Sequence, residues 1–262
     1  NQLFDNVEAT LGEQLTMKQH GAQQQDSGSS AVLLSEEERV AKMEEMAKSP
    51  EQKLEIAKQL ISMGYMSKAT SLLSRILTDD VESMDNVKKA SIVPQVYSLF
   101  SMCFLVDGDF EQSGDMVARI KRDYASAVEN IPEVRSAVAM HEIYECAGLE
   151  LMHFASNLRE HVEKARQQGV TFDFDGIPFV SDLKQRIEKD PKDFDAHYTL
   201  SLLYFLCGNQ KDAVDQAMII ARRGIRWNNS AANKLLLNYA NICTDKKEAD
   251  AIRRKLATYL FV

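Results

Sequence analysis

Apolar side chains recur along the chain at the three- and four-residue spacing that places them on one face of a helix. The first such stripe is Val40, Met43 and Met46, and Ser35 stands before it as a cap with Glu38 three residues on to return the bond. A sharper start follows, with Ser49 as cap, Pro50 at the first helical position and Gln52 at the third. From there one helix–glycine–helix unit recurs, clearest in the two segments centred on Gly64 and Gly208. Eight residues before each glycine stands a large apolar residue, Ile56 or Leu200. Seven before is a small one, Ala57 or Ser201, and four before is Leu60 or Tyr204. Five after comes Ala69 or Ala213. Bulky residues facing small ones allow the close antiparallel packing of an αα-hairpin. Around Gly108 the frame holds more loosely (Phe100, Ser101, Phe104, Ser113). Around Gly148 it is degenerate (Met140, His141, Tyr144, His153). The four glycines lie 44, 40 and 60 residues apart, so long helices and insertions must distort any regular superhelix.

The ends and interruptions complete the layout. Residues 1–14 have the pattern of a short amphipathic helix, and 15–30, rich in Gln, Ser and Gly, that of a flexible linker. The largest insertion, residues 167–178, precedes a helix of about a dozen residues from Phe179; Asp190-Pro191 then opens the best repeat. Ser230 is expected to cap a helix carrying Leu235, Leu236, Tyr239 and Ile242. Thr244 is expected to start the last helix, striped by Ala249, Ile252, Leu256 and Tyr259. These two would close the end of the stack, as a solenoid requires. The expectation is therefore an all-α chain: residues 1–34 a short helix plus linker, residues 35–262 a helical-repeat domain of αα-hairpins with C-terminal capping helices.

Composition agrees with this picture. Five Pro and 11 Gly in 262 residues are too few to punctuate a many-stranded sheet. Cys103, Cys146, Cys207 and Cys243 never form a C-x-x-C pair and read as buried thiols in a reducing compartment. No apolar run approaches the roughly twenty residues that cross a bilayer, and no secretory signal is visible, so no membrane insertion is expected. A first residue that is Asn and not Met suggests a processed chain, with a removed organellar presequence as one explanation. The net charge of −8 is uneven. From Ile219 to Val262 nine Lys or Arg stand against three acids, +6, which leaves −14 on the remainder. That end is either a solvated face or a basic dock for an acidic protein or RNA phosphates.

Reactive chemistry is not indicated. There is no glycine-rich phosphate loop, H-E-x-x-H, nucleophile elbow or cysteine ligand set, so no catalytic residue, cofactor or metal is expected. His153 and His161 can share a helix face and read as solvated, while His141 and Cys146 are off register. Glu142 and Glu145 lie near an apolar face with nothing to pair with. Met43, Met63 and Met218 read as core. Phe172 and Phe174 stand out, because a loop has little reason to expose two Phe unless they dock on a partner or back on their own groove.

The small-against-large frame around a turn glycine resembles the tetratricopeptide repeat. That resemblance implies a concave groove lined by first helices and suited to a peptide. Some members of that family clamp a C-terminal carboxylate with Asn side chains. Glu55 and Thr199 stand where those would be, so the clamp is not carried over. A narrower resemblance follows from the D-P-x-D opener at Asp190, the paired Arg222 and Arg223, and Arg226-Trp227-Asn228. Ser230-Ala231-Ala232, the closing Arg253-Arg254-Lys255-Leu256 and, upstream, Ile131-Pro132 add to it. Over about residues 36–262, and most closely from 178 onward, the chain resembles the C-terminal repeat domain of chaperedoxins, thioredoxin-like co-chaperones of the YbbN type. The resemblance implies contacts with clients and a chaperonin. FDNVEATLGEQL resembles the last helix of the thioredoxin domain that precedes the repeats in that family, but without that domain no redox activity is carried over.

The expected function is thus a non-catalytic protein-binding scaffold of co-chaperone or holdase type, in the mitochondrial matrix or else the cytoplasm. The alternative is a structural subunit of a large organellar assembly, such as a mitochondrial ribosome or respiratory complex. RNA binding comes third. The expected partner-contacting residues are Phe172, Phe174, Arg222, Arg226, Trp227, Arg253 and Arg254.

Overall fold

A computed structural model describes residues 36–260, which form twelve α-helices; no strand occurs among the described residues. They are α1 (Glu36–Met46), α2 (Pro50–Ser62), α3 (Met66–Arg75), α4 (Asn86–Asp107), α5 (Phe110–Asp123), α6 (Ala125–Asn130), α7 (Pro132–Gln167), α8 (Pro178–Lys189), α9 (Phe194–Leu206), α10 (Gln210–Arg223), α11 (Ala231–Ile242) and α12 (Lys246–Leu260). The expected helix over 1–14, the linker after it and the Ser35 cap lie outside the described residues. The chain divides into two compact units between Val138 and Ala139.

In the first unit, Ser49 and Gln52 form the expected reciprocal cap at the start of α2, with Pro50 in the first turn. The α2–α3 turn is made by Gly64 at φ +84°. Its N–H donates to the Ile61 carbonyl at 3.0 Å, and the Tyr65 N–H reaches back to Leu60 at 2.8 Å. This six-to-one, five-to-two pair closes a helix only with a left-handed residue, the reason for glycine there. Gly108 and Gly208 end α4 and α9 with the same two bonds.

Helix α4 is buried nearly all round from Ile92 to Leu105. Ile92, Val96, Leu99 and Cys103 join a cluster with Leu60, Leu72 and Leu73 of α2 and α3. Tyr97 packs against a second cluster of Val117, Ile120, Ala127, Val134 and Val138. A helix enclosed from both sides must be apolar on every face. At 22 residues α4 is, by length and composition alone, long and apolar enough to cross a bilayer, where the sequence analysis finds no run approaching that length; half of its most apolar stretch is buried within the protein, as in a core helix. Gln95, Ser98 and Ser101 interrupt the apolar run, so its overall apolarity is not visible as a continuous stretch. Beyond α3 the chain unwinds into a wider π-type turn, Ile76–Asp80, that delivers Asp80 to the buried Lys53 (Nζ–Oδ2 2.6 Å).

The second unit begins inside α7. At Gly148 (φ 70°, ψ 165°) the helix breaks. Tyr144 hydrogen-bonds to Arg159, fifteen residues later. In a straight helix those positions would stand about 22 Å apart, beyond the reach of both side chains, so the chain turns back at Gly148. The short hairpins α9–α10 and α11–α12 follow. Asp193 caps α9 by accepting from the Ala196 N–H at 3.0 Å, and it grips Arg186 of α8 through two bonds of 2.9 and 3.0 Å.

The two helix starts read from Ser230 and Thr244 need correction. Ser230 does precede α11, but at φ 63° it makes no side-chain cap, because capping needs an extended backbone there. The start of α12 falls at Lys246, with Asp245 Oδ1 accepting from the Lys247 N–H at 2.8 Å.

Candidate protein-interaction surface

The second unit is organised by what stands at the helix crossings. In α9 and α10 the two small positions of the frame, Ser201 and Ala213, are fully buried against each other, and Ser201 Oγ donates to the Ala213 carbonyl at 2.7 Å. The hydroxyl of Tyr239 in α11 closes the crossing, 2.9 Å from Ser201 Oγ and donating to the Ser201 carbonyl at 3.1 Å. Burial raises the Tyr239 phenol well above its ordinary range, so it stays a donor. The same positions in the first unit hold Ala57 with Ala69 and Ser101 with Ser113, whose hydroxyls lie 2.8 Å apart. At Gly148 they hold His141 and His153; two imidazoles cannot share a small-residue crossing, and His153 is exposed.

Helix α9 is buried from Leu200 through Cys207. Phe205 stacks on Tyr239 (4.8 Å, 18°). The chain's own α7 covers further parts. Asn238 of α11 donates to Glu142 at 3.0 Å, Tyr198 hydrogen-bonds to Cys146, and Arg159 Nε donates to the Leu206 carbonyl at 3.2 Å. Glu142 therefore has partners, contrary to expectation, and its bond spans 96 residues. No local pattern announces it.

The insertion between α7 and α8 docks back on the unit. Gly169 ends α7 at φ +68°. Phe174 sets its ring edge-on against Tyr204 (5.2 Å, 89°), and Phe172 packs edge-on against Phe174 (4.9 Å, 81°). Asp173 Oδ1 accepts from the N–H groups of Asp175 and Gly176 at 3.0 and 3.2 Å, and this turn aims Asp175 at Lys184 of α8 in an ion pair. Partial burial opposes the Lys184 charge, but Asp175 and the Tyr204 hydroxyl outweigh it and raise its pKa.

Residues 177–261 match the model of a tetratricopeptide repeat family. The match covers α8 to α12, about a third of the chain. No curated protein and no solved structure matches the chain.

Around this tetratricopeptide repeat region the sequence-selected residues separate. Trp227 is half-buried between Phe194 (6.3 Å) and Tyr198 (5.3 Å). After it, Asn228, Asn229 and Ser230 all hold left-handed φ (42°, 53°, 63°). Arg222, Arg226 and Arg254 are exposed. Arg253 is spent internally on the Ala240 carbonyl and Asn241 Oδ1, both at 3.1 Å, which ties α12 to the end of α11.

Other groups of possible chemical interest resolve differently. Burial raises the thiol of Cys103 to about 12 and that of Cys207 to about 11, whereas Cys146 is exposed and Cys243 only half-covered, so not all four are buried as expected. Met63 is exposed at the end of α2 and Met43 only partly buried; of the three, Met218 alone lies in the core. His197 is buried, its Nδ1 2.6 Å from Gln216 Oε1 and its Nε2 without a hydrogen-bond partner among the described residues. Among the described residues, no three His, Cys, Asp or Glu converge on a common metal position.

Proposed function

We propose that the chain is a non-catalytic protein-binding scaffold of the co-chaperone or holdase type, acting in the mitochondrial matrix or the cytoplasm. The observation that carries the reading is the α8–α12 match to the tetratricopeptide repeat, whose stacked hairpins hold peptide segments of other proteins. The small–small crossings at Ser201/Ala213 and Ser101/Ser113 support it, since they bring paired helices close enough to act as rigid scaffolding. Clients, and a chaperonin through the exposed Arg222, Arg226 and Arg254, are the partners this reading implies. The test is aggregation of a chemically unfolded client, followed by light scattering. Equimolar chain should slow aggregation in a dose-dependent way; no effect at tenfold excess rejects the reading.

One observation favours a second reading, a structural subunit of a large organellar assembly. Helix α9 is covered by its own chain, through Arg159 and Cys146 of α7 and through the 167–178 insertion, which leaves less of it open to a transient client. Size-exclusion of native extract separates the two. A subunit co-migrates with a megadalton particle that survives high salt, and a co-chaperone runs mostly free.

A further inference from the structure

The insertion seats an aromatic residue and the carboxylate that follows it on two different helices of the tetratricopeptide repeat region. Phe174 lies edge-on to Tyr204 of α9, four residues before the turn glycine, and Asp175 pairs with Lys184 of α8. Lys184 also hydrogen-bonds to the Tyr204 hydroxyl, so ring and cation form one receptor. Between the end of α7 at Gly169 and the start of α8 at Pro178 the seated segment turns at Phe174–Gly176, where the Ile177 N–H donates to the Phe174 carbonyl at 3.2 Å. Its own support is local: the Asp173 turn and the Phe172 ring. Val170 and Phe179, on either side, are exposed apolar residues that would flank a longer peptide. The Asp175 carboxylate and the Lys184 amine are both substantially exposed, so this latch is screened by salt and exchangeable.

We propose that the Tyr204–Lys184 surface is a docking site for a turn-forming partner segment carrying an aromatic residue followed directly by an acidic one, and that Phe174-Asp175 occupies it in cis. This rests on the protein-binding reading above and names the kind of segment taken. The edge-to-face ring contact selects the aromatic residue and the ammonium selects the carboxylate. An attached strap competes at the millimolar effective concentration of a short tether, so the site is mostly closed to weak ligands until the strap is displaced.

The experiment uses the full chain and a fluorescein-labelled peptide of residues 170–177, followed by anisotropy. Phe174→Ala/Asp175→Ala, which empties the site, should bind the peptide roughly tenfold more tightly than the unaltered chain. In that background Lys184→Glu should weaken binding by about tenfold, and a peptide with Lys in place of Asp175 should restore it. Equal binding by opened and unaltered chains overturns the proposal, as does a Lys184→Glu variant that binds the original peptide unchanged. Fluorescence of Trp227, which lies outside the strap, checks that each variant is folded. If the double substitution fails that check, Asp175→Ala alone makes the same comparison with an expected threefold gain. Client aggregation is measured alongside. A chain that suppresses aggregation yet ignores the peptide loses this docking site and keeps the scaffold function.

Discussion

Gly224 ends α10 where the chain turns toward Trp227, and it lies against the ring of Phe194. A methyl group placed on it would stand 2.3 Å from Cε2 of that ring and 2.8 Å from Cδ2 and Cζ. Carbon atoms in comfortable contact sit at about 3.5–4.0 Å, so Gly224→Ala requires the ring to retreat by more than about 1 Å. Trp227 packs against the ring with centroids 6.3 Å apart, so a retreat disturbs a second aromatic contact. The backbone adds no strain of its own: φ at Gly224 is −139°, which alanine tolerates. Overpacking of this kind costs about 1–3 kcal/mol, while the lost flexibility of the unfolded chain returns about 0.4–1 kcal/mol. The net expectation is destabilisation by about 1–2 kcal/mol, or roughly 4–10 °C in Tm for a unit of this size. The sequence contains one Trp, so its fluorescence during urea and thermal unfolding reports on this spot directly. Adding Phe194→Leu, which frees the space, should recover part of the loss, a coupling visible in a double-mutant cycle. An unchanged or raised Tm in Gly224→Ala refutes the packing argument, and so does strict additivity with Phe194→Leu.

Three other outcomes are expected. Tyr239→Phe removes the hydroxyl that donates to the Ser201 carbonyl inside the core, and should lower stability by about 1–2 kcal/mol in urea titration; an unmoved midpoint would deny the crossing its role. The Arg186 guanidinium holds the Asp193 carboxyl below its ordinary value, so this pair contributes fully above the unfolded pKa near 4 and is lost as pH falls through the lower folded value. Asp193→Asn keeps a cap acceptor but not the charge, so its stability should fall less steeply below about pH 4 than that of the unaltered chain; parallel curves would exclude the pair. Iodoacetamide at neutral pH should label Cys146 first and Cys243 more slowly, with Cys103 and Cys207 reacting only on unfolding, as peptide mass mapping would record; early labelling of Cys103 would contradict its burial.

The features that were legible in the sequence are the ones written within a few residues of each other. The Ser49–Gln52 cap, the glycine turns at 64, 108 and 208 and the small partners twelve residues apart are all local, and each was readable without knowing what lay elsewhere. Thr244 and Ser230 misled because a residue type suited to capping says nothing of its backbone. Three successive left-handed residues leave Ser230 no extended conformation to cap from. Glu142 with Asn238, Lys53 with Asp80 and Arg253 with the end of α11 join distant or differently folded stretches, and no spacing rule reaches them. The candidate site was half legible. Two loop Phe residues had to dock, and docking back on their own groove was one of the two options. That Tyr204 and Lys184 receive them depends on how α8 and α9 pack, which periodicity does not specify.

The placement of α4 limits how this protein can evolve. Solenoids ordinarily gain and lose whole repeats, because each module leans only on its neighbours. Here a single helix supplies Ile92, Val96, Leu99 and Cys103 to one cluster and Tyr97 to another. Deleting either flanking hairpin would leave a bare apolar flank in water, so residues on both sides of it stand or fall in one transition. Lengthening or shortening by modules is open only beyond its reach.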